Sequence, residues 1–226
     1  MKRLLDWRLL TALLVFVFGM TLESSCKCNY NKSDEGVAVD LGLPSGTLWA
    51  DRNIGADSPK DYGYKFAWGE TKPKKTYDWS NYKWCNGSSD KLTKYCPDAD
   101  WGTIDNKMTL ELEDDAATSN WGENWRMPTC EEMEELEKFC SWVWFSQNGV
   151  KGCKVVGPNG NSIFLPANEL GNGQTFGAYW SSSILEDYPV DDSGADDAWY
   201  IETSSIGCNF YWIDRCNGLA VRAVVR

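Results

Sequence analysis

The clearest periodicity in the chain lies between residues 129 and 140. Met133, Leu136 and Cys140 recur at i, i+3 and i+7, which sets one apolar stripe, while Glu131, Glu134, Glu135 and Glu137 fall mostly on other faces. Thr129 stands where an N-cap belongs, with Glu132 three residues on, and Pro128 precedes the cap where no helical hydrogen bond is lost. These features predict a helix of about three turns lying on a core. Before it, Gly36 to Leu41 and Thr47 to Ala50 are apolar-rich runs separated by five residues, Gly42-Leu43-Pro44-Ser45-Gly46, the pattern of a hairpin. After it, Asn148-Gly149 divides Trp142-Val143-Trp144-Phe145 from Cys153-Lys154-Val155-Val156, a strong hairpin signal. Pro158 to Asn161 then turns the chain into Ser162 to Pro166. Tyr179 to Ser183, Ala198 to Thr203, Cys208 to Trp212 and Leu219 to Val225 complete an expected meander of short antiparallel strands. A helix followed by a strand-rich half predicts the α+β class.

Residues 57–110 lack such periodicity and are punctuated by turn formers such as Lys72-Pro73 and Asn86-Gly87. They are also dense in rings, among them Tyr62, Tyr64, Phe66, Trp68, Tyr77, Trp79, Tyr82, Trp84, Tyr95 and Trp101. Two readings fit: a surface for stacking sugars, or an irregular region that holds together by burying its rings. The second is the expectation, because a segment short of aliphatic residues needs that burial.

The amino terminus belongs to a different class. Lys2, Arg3 and Arg8 form a basic region interrupted by Asp6, and Leu9 to Leu22 is a largely apolar run of 14 residues, short of the ~20 that span a bilayer. Leu22-Glu23-Ser24-Ser25-Cys26 resembles a bacterial lipobox with Cys26 as the lipidated residue, although Glu23 departs from the small or apolar residue usual there. The expected organisation is a signal peptide over 1–25, a lipidated tether over 26–35 and one domain over 36–226. Plain secretion is the alternative. The whole chain carries a formal charge of -11, and removing the net +1 of residues 1–25 leaves -12. Such a surface repels phosphate backbones, so no nucleic-acid partner is expected. No basic amphipathic helix is present, so contact with a membrane is expected only through the lipid.

Seven of the nine cysteines fall in the domain, an odd number that leaves at least one unpaired. Cys130 and Cys140 cannot pair across a helix of this length, about 15 Å of rise. Cys85 with Cys96, and Cys208 with Cys216, have loop-closing separations, and free buried cysteine is the alternative for each. Histidine is absent. Its absence excludes Ser-His-Asp and Cys-His catalysis and histidine metal sites, while carboxylate-pair hydrolysis stays open.

Asp115-Ala116-Ala117, Trp121, Trp125-Arg126-Met127-Pro128-Thr129 and Glu132-Met133-Glu134-Glu135-Leu136 resemble the signature of the Fibrobacter succinogenes major paralogous domain (FISUMP) family. That signature is shared more distantly with formylglycine-generating enzymes, both within the C-type-lectin-like fold group. Further matching stretches are Val39 to Ala50, Phe66 to Thr71, Tyr179 to Ser183 and Gly218 to Arg222, so the resemblance covers roughly residues 37–226. It implies a C-type-lectin-like fold with paired termini, Val37 to Leu41 lying near Leu219 to Val225, and a secreted or surface protein of Bacteroidales type. The redox-active cysteine motif of the formylglycine-generating enzymes has no match around Cys208 or Cys216.

Two stretches are candidate sites. Glu186, Asp187, Asp191, Asp192, Asp196 and Asp197 place six acids within twelve residues and no base, which suits Ca²⁺. A solvated acidic loop is the competing reading, and the sugar-binding triplets of C-type lectins are missing. Ser204 to Asn217 mixes aromatic, polar and charged residues without strand alternation. Its place ahead of the final apolar strand resembles the variable ligand-binding segment of diversified C-type-lectin-like proteins. It nominates Asn209, Phe210, Tyr211, Trp212, Asp214, Arg215 and Asn217 as a binding face, against a hairpin whose Phe210 and Trp212 are core. The function expected is a non-enzymatic, outer-membrane surface lipoprotein that binds an extracellular glycan or protein, without a cofactor unless Ca²⁺ binds. A structural or adhesin-like component is the alternative, and a formylglycine-generating type of enzyme the least favoured.

Overall fold

The computed structural model describes residues 34–169, 174–184 and 194–225. The first hairpin pairs β1 (Ala38–Asp40) with β2 (Leu48–Ala50), Val39 opposite Trp49. After β3 (Lys65–Phe66) the chain is irregular apart from single 3-10 turns at Trp79–Asn81 and Leu112–Asp114. Then come α1 (Ala116–Trp121), β4 (Trp125–Arg126) and α2 (Cys130–Phe139). Next follow β5 (Ser141–Gln147), β6 (Val150–Val156), β7 (Ser162–Pro166), β8 (Asn168–Glu169) and β9 (Thr175–Ile184). The chain closes with β10 (Asp197–Ser204), β11 (Gly207–Asp214), β12 (Leu219–Ala220) and β13 (Val224–Val225). Short helices on open sheets make the architecture α+β.

The motif around α2 now has a physical reading. Thr129 Oγ1 accepts the Glu132 N–H at 3.3 Å and Glu132 Oε2 accepts the Thr129 N–H at 2.9 Å, completing the capping box. Arg126 grips the same carboxylate with two guanidinium bonds, 2.6 and 2.5 Å, and Thr47 Oγ1 donates to it from the first hairpin at 3.3 Å. Asp115 caps α1 by accepting the Thr118 N–H at 2.9 Å, and its other oxygen accepts the Met127 N–H at 2.8 Å. Met133 and Leu136 are buried as the stripe requires, and Cys140 is the C-cap.

The strands form three sheets, ordered β1-β2-β13-β4, β11-β10-β9-β12-β3 with β8 on β9, and β5-β6-β7. The single meander expected from sequence is therefore two, β5 to β7 and β9 to β11, in separate sheets. The last apolar run also divides. Ala220 pairs in parallel with Tyr179 of β9, and Val224 crosses to lie between Trp49 of β2 and Arg126 of β4. The strand that receives the carboxy terminus is thus β2, with β1 one position further out. Arg222, 1% exposed, sits at the split with its donors satisfied: Nε donates to Asn53 Oδ1 (2.9 Å), Nη1 to the Ala50 carbonyl (3.1 Å) and Nη2 to the Phe164 carbonyl (2.8 Å). One guanidinium thus ties the stretch of residues 50–53 to β7.

Successive residues of a strand face opposite ways, and the β9-β10-β11 sheet separates two cores accordingly. Trp180 and Ala198 join Trp68, Tyr95, Trp121 and Trp125 on one side; Tyr179 and Ile201 join Trp49, Leu136 and Ile163 on the other. Trp68 Nε1 donates to the Ser181 carbonyl at 2.9 Å and Trp180 Nε1 to the Phe66 carbonyl at 2.8 Å, a reciprocal clasp between β9 and the irregular region. In that region Phe66, Trp68, Tyr82 and Tyr95 are buried, which agrees with ring burial as its organising force.

Candidate functional site

Ser204 to Asn217 forms the turn, β11 and the reverse bend after it, and β11 is an edge of its sheet. Its pairing with β10 sets Trp199 opposite Trp212, ring centroids 5.5 Å apart, and Tyr200 opposite Tyr211 at 6.0 Å. The ladder continues from Tyr200 to Trp180 at 6.2 Å. Strand alternation, hidden in the sequence by aromatics on both faces, divides the seven nominated residues. Asn209, Tyr211 and Asp214 are exposed, and Trp212 and Asn217 are half-buried. Phe210, half-buried, packs against the core beside Cys208 as the hairpin reading expects, whereas Trp212, which that reading also placed in the core, joins none of the core clusters.

Arg215 corrects the binding-face reading. It is fully buried, donates from Nη1 to the Tyr95 carbonyl at 3.0 Å, and lies over the Trp68 and Tyr82 rings at 5.5 and 6.0 Å. No external ligand can reach it. Asn217 likewise turns inward on its own bend, donating from Nδ2 to the Asp214 carbonyl at 3.1 Å.

Of the acidic set, Glu186, Asp187, Asp191 and Asp192 lie outside the described residues. Asp197 opens β10, Asp196 precedes it, and both are buried, not solvated. Burial, with Asp196 beside it, pushes the Asp197 carboxyl up to about 7, and burial likewise raises Asp196. A different acidic group, which the sequence reading passed over, brings Glu111, Glu113 and Asp114 close enough to share one ion. Lys94 already occupies that position, at 2.5 Å from Glu111, 3.3 Å from Glu113 and 2.6 Å from Asp114. Lys83 and the Tyr95 hydroxyl bond Asp114 as well, at 3.0 and 2.7 Å, so this cluster is an internal ion-pair network.

A cleft of about 600 Å³ opens where the β10–β11 turn meets the β5–β6 hairpin. Trp144 and Lys151 line it from the hairpin, Phe176 from β9, and Glu202, Ser204 and Ile206 from β10 and its turn. Phe176 also lines a smaller cavity of about 210 Å³ that runs on to Tyr62. Glu202 stands opposite Asn209 and Ala178 in the sheet, burial alone raises its carboxyl, and it has no ion-pair partner among the described residues. Sequence reasoning missed this cleft. Its walls come from four strands whose order only the fold establishes.

All seven cysteines of the described residues are free thiols. Cys208 and Cys216 pack in different cores, and the Cys85 and Cys96 sulfurs point to separate carbonyls, those of Trp79 and Asp98 at 3.2 and 3.0 Å. Burial pushes the thiols of Cys140 and Cys153 up to about 11, and those of Cys130, Cys208 and Cys216 to about 12. No helix among the described residues is long and apolar enough to cross a membrane. No protein-family model, no curated protein and no solved structure matches the chain.

Proposed function

We propose that the chain is a non-enzymatic binding module, exported and held at the cell surface through a lipid on Cys26, which takes an extracellular glycan or protein as its ligand. The observation that carries this reading is the outer edge of the β9-β10-β11 sheet. Tyr211 is 43% exposed at the end of an aromatic ladder, with Asn209 beside it and, across from Asn209, Glu202, which has no ion-pair partner among the described residues. Exposed aromatics flanked by uncommitted polar groups are the ingredients of binding hot spots. The absence of histidine and the raised thiols favour recognition over chemistry. The wider assignment, a C-type-lectin-like fold of the FISUMP kind, rests on the residue signature and on the α+β architecture.

The test is an array of glycans and host proteins probed with the full chain, with and without Ca²⁺. A specific hit that Tyr211→Ala weakens at unchanged melting temperature is expected. Silence across both conditions would instead favour a structural surface component, and a hit insensitive to Tyr211 would move the ligand off this edge. Calcium dependence would assign a role to the 186–197 acids.

A further inference from the structure

We infer that the cleft between the β5–β6 hairpin and the β10–β11 turn is a carbohydrate subsite that takes a short, neutral oligosaccharide. The inference rests on the binding-module reading above and moves its principal contacts from the sheet edge into the cleft. Three features carry it. The first is the lining: Trp144 and Phe176 offer ring surface, while Glu202, Lys151 and Ser204 offer an acceptor, a donor and a hydroxyl. A pyranose needs that mixture, since it has C–H faces that stack on rings and a perimeter of hydroxyls that both donate and accept.

The second is charge. Glu202 and Lys151 line the same cleft, and neither has an ion-pair partner among the described residues. Within this cleft one charge of each sign cancels, which leaves it no net preference for an ionic ligand, while Lys65 in the adjoining cavity is a further donor. An apolar ligand would leave both groups desolvated and unpaired, a cost that selects against it. The third is length. At about 600 Å³ the cleft lies within the range of ligand sites. Phe176 is a shared wall with the second cavity of about 210 Å³, which the exposed Tyr62 also lines, so the two adjoin. Two adjoining cavities suit several sugar units better than one.

The experiment is calorimetric titration of the full chain with tetra- to hexasaccharides of glucose, mannose, galactose, xylose and N-acetylglucosamine. At least one series is expected to bind more tightly as it lengthens. Trp144→Ala and the isosteric Glu202→Gln should each weaken that binding by roughly tenfold or more while Tyr211→Ala has a smaller effect. Glu202→Gln keeps the shape of a half-buried side chain, so it reports on the subsite even if Trp144→Ala disturbs the hairpin. Absence of binding by every series, or binding that neither cleft variant weakens, overturns the subsite. Binding lost in Tyr211→Ala and retained in both cleft variants would overturn it while leaving the sheet-edge reading intact.

Discussion

Arg222→Met would strand three acceptors on two segments, Asn53 Oδ1 and the carbonyls of Ala50 and Phe164, in a buried site. The expected loss is roughly 3–5 kcal/mol in a denaturant titration, because the partners stay buried after the charge has gone. Asp197 works in the opposite sense. Its carboxyl is pushed up to about 7 by burial, against about 4 in an unfolded chain. Between those values the folded state holds a proton that the unfolded state has released, so stability from this group falls as pH rises through the window. Asp197→Asn should therefore raise the melting temperature relative to the parent at pH 8 and lose that advantage at pH 4, read by paired thermal melts. The sequence displayed both arginines in recognisable places, Arg222 in Gly218-Leu219-Ala220-Val221-Arg222 and Arg215 among exposed-looking polar residues. It could not display their burial, which depends on carbonyls contributed by remote segments.

The helix and the two hairpins were legible because their signals are local. A cap, a box partner and a stripe lie within one stretch, and Asn148-Gly149 carries its own conformational demand, with φ of 51° and 86°. Gly149→Ala tests that demand in isolation. A Cβ there meets nothing within 4 Å, so the expected loss, roughly 1 kcal/mol, is the cost of a left-handed alanine alone. Glu132→Ala removes more than a cap, because Arg126 and Thr47 lose their partner with it. A loss of roughly 2 kcal/mol in chemical denaturation is expected. The grouping of strands was not legible. Residues 219–225 look like one strand by composition, and the structure divides them between two sheets on either side of the buried Arg222.

At the scale of the whole molecule the cysteines behave as small apolar side chains. With five thiols raised to between about 11 and 12, a thiol reagent at pH 8 should label those five slowly in the native chain and rapidly in the denatured one. A counted titration with and without denaturant checks this. The candidate cleft belongs to the same scale. Trp144 and Glu202 are unremarkable in their own strands, and their common cleft follows from how two meanders stack, which no spacing along the chain encodes. The placement of β13 between β2 and β4 has a further consequence, for the order of events in time. A chain made from its amino terminus must hold β2 and β4 apart until residue 224 emerges, so the interior position of that sheet is filled last. Such long-range closure is slow, on the order of milliseconds to seconds. Deleting residues 219–225 should leave a chain that does not fold, rather than a trimmed one that does. Vectorial delivery of an unfolded polypeptide through a narrow channel is compatible with that late closure.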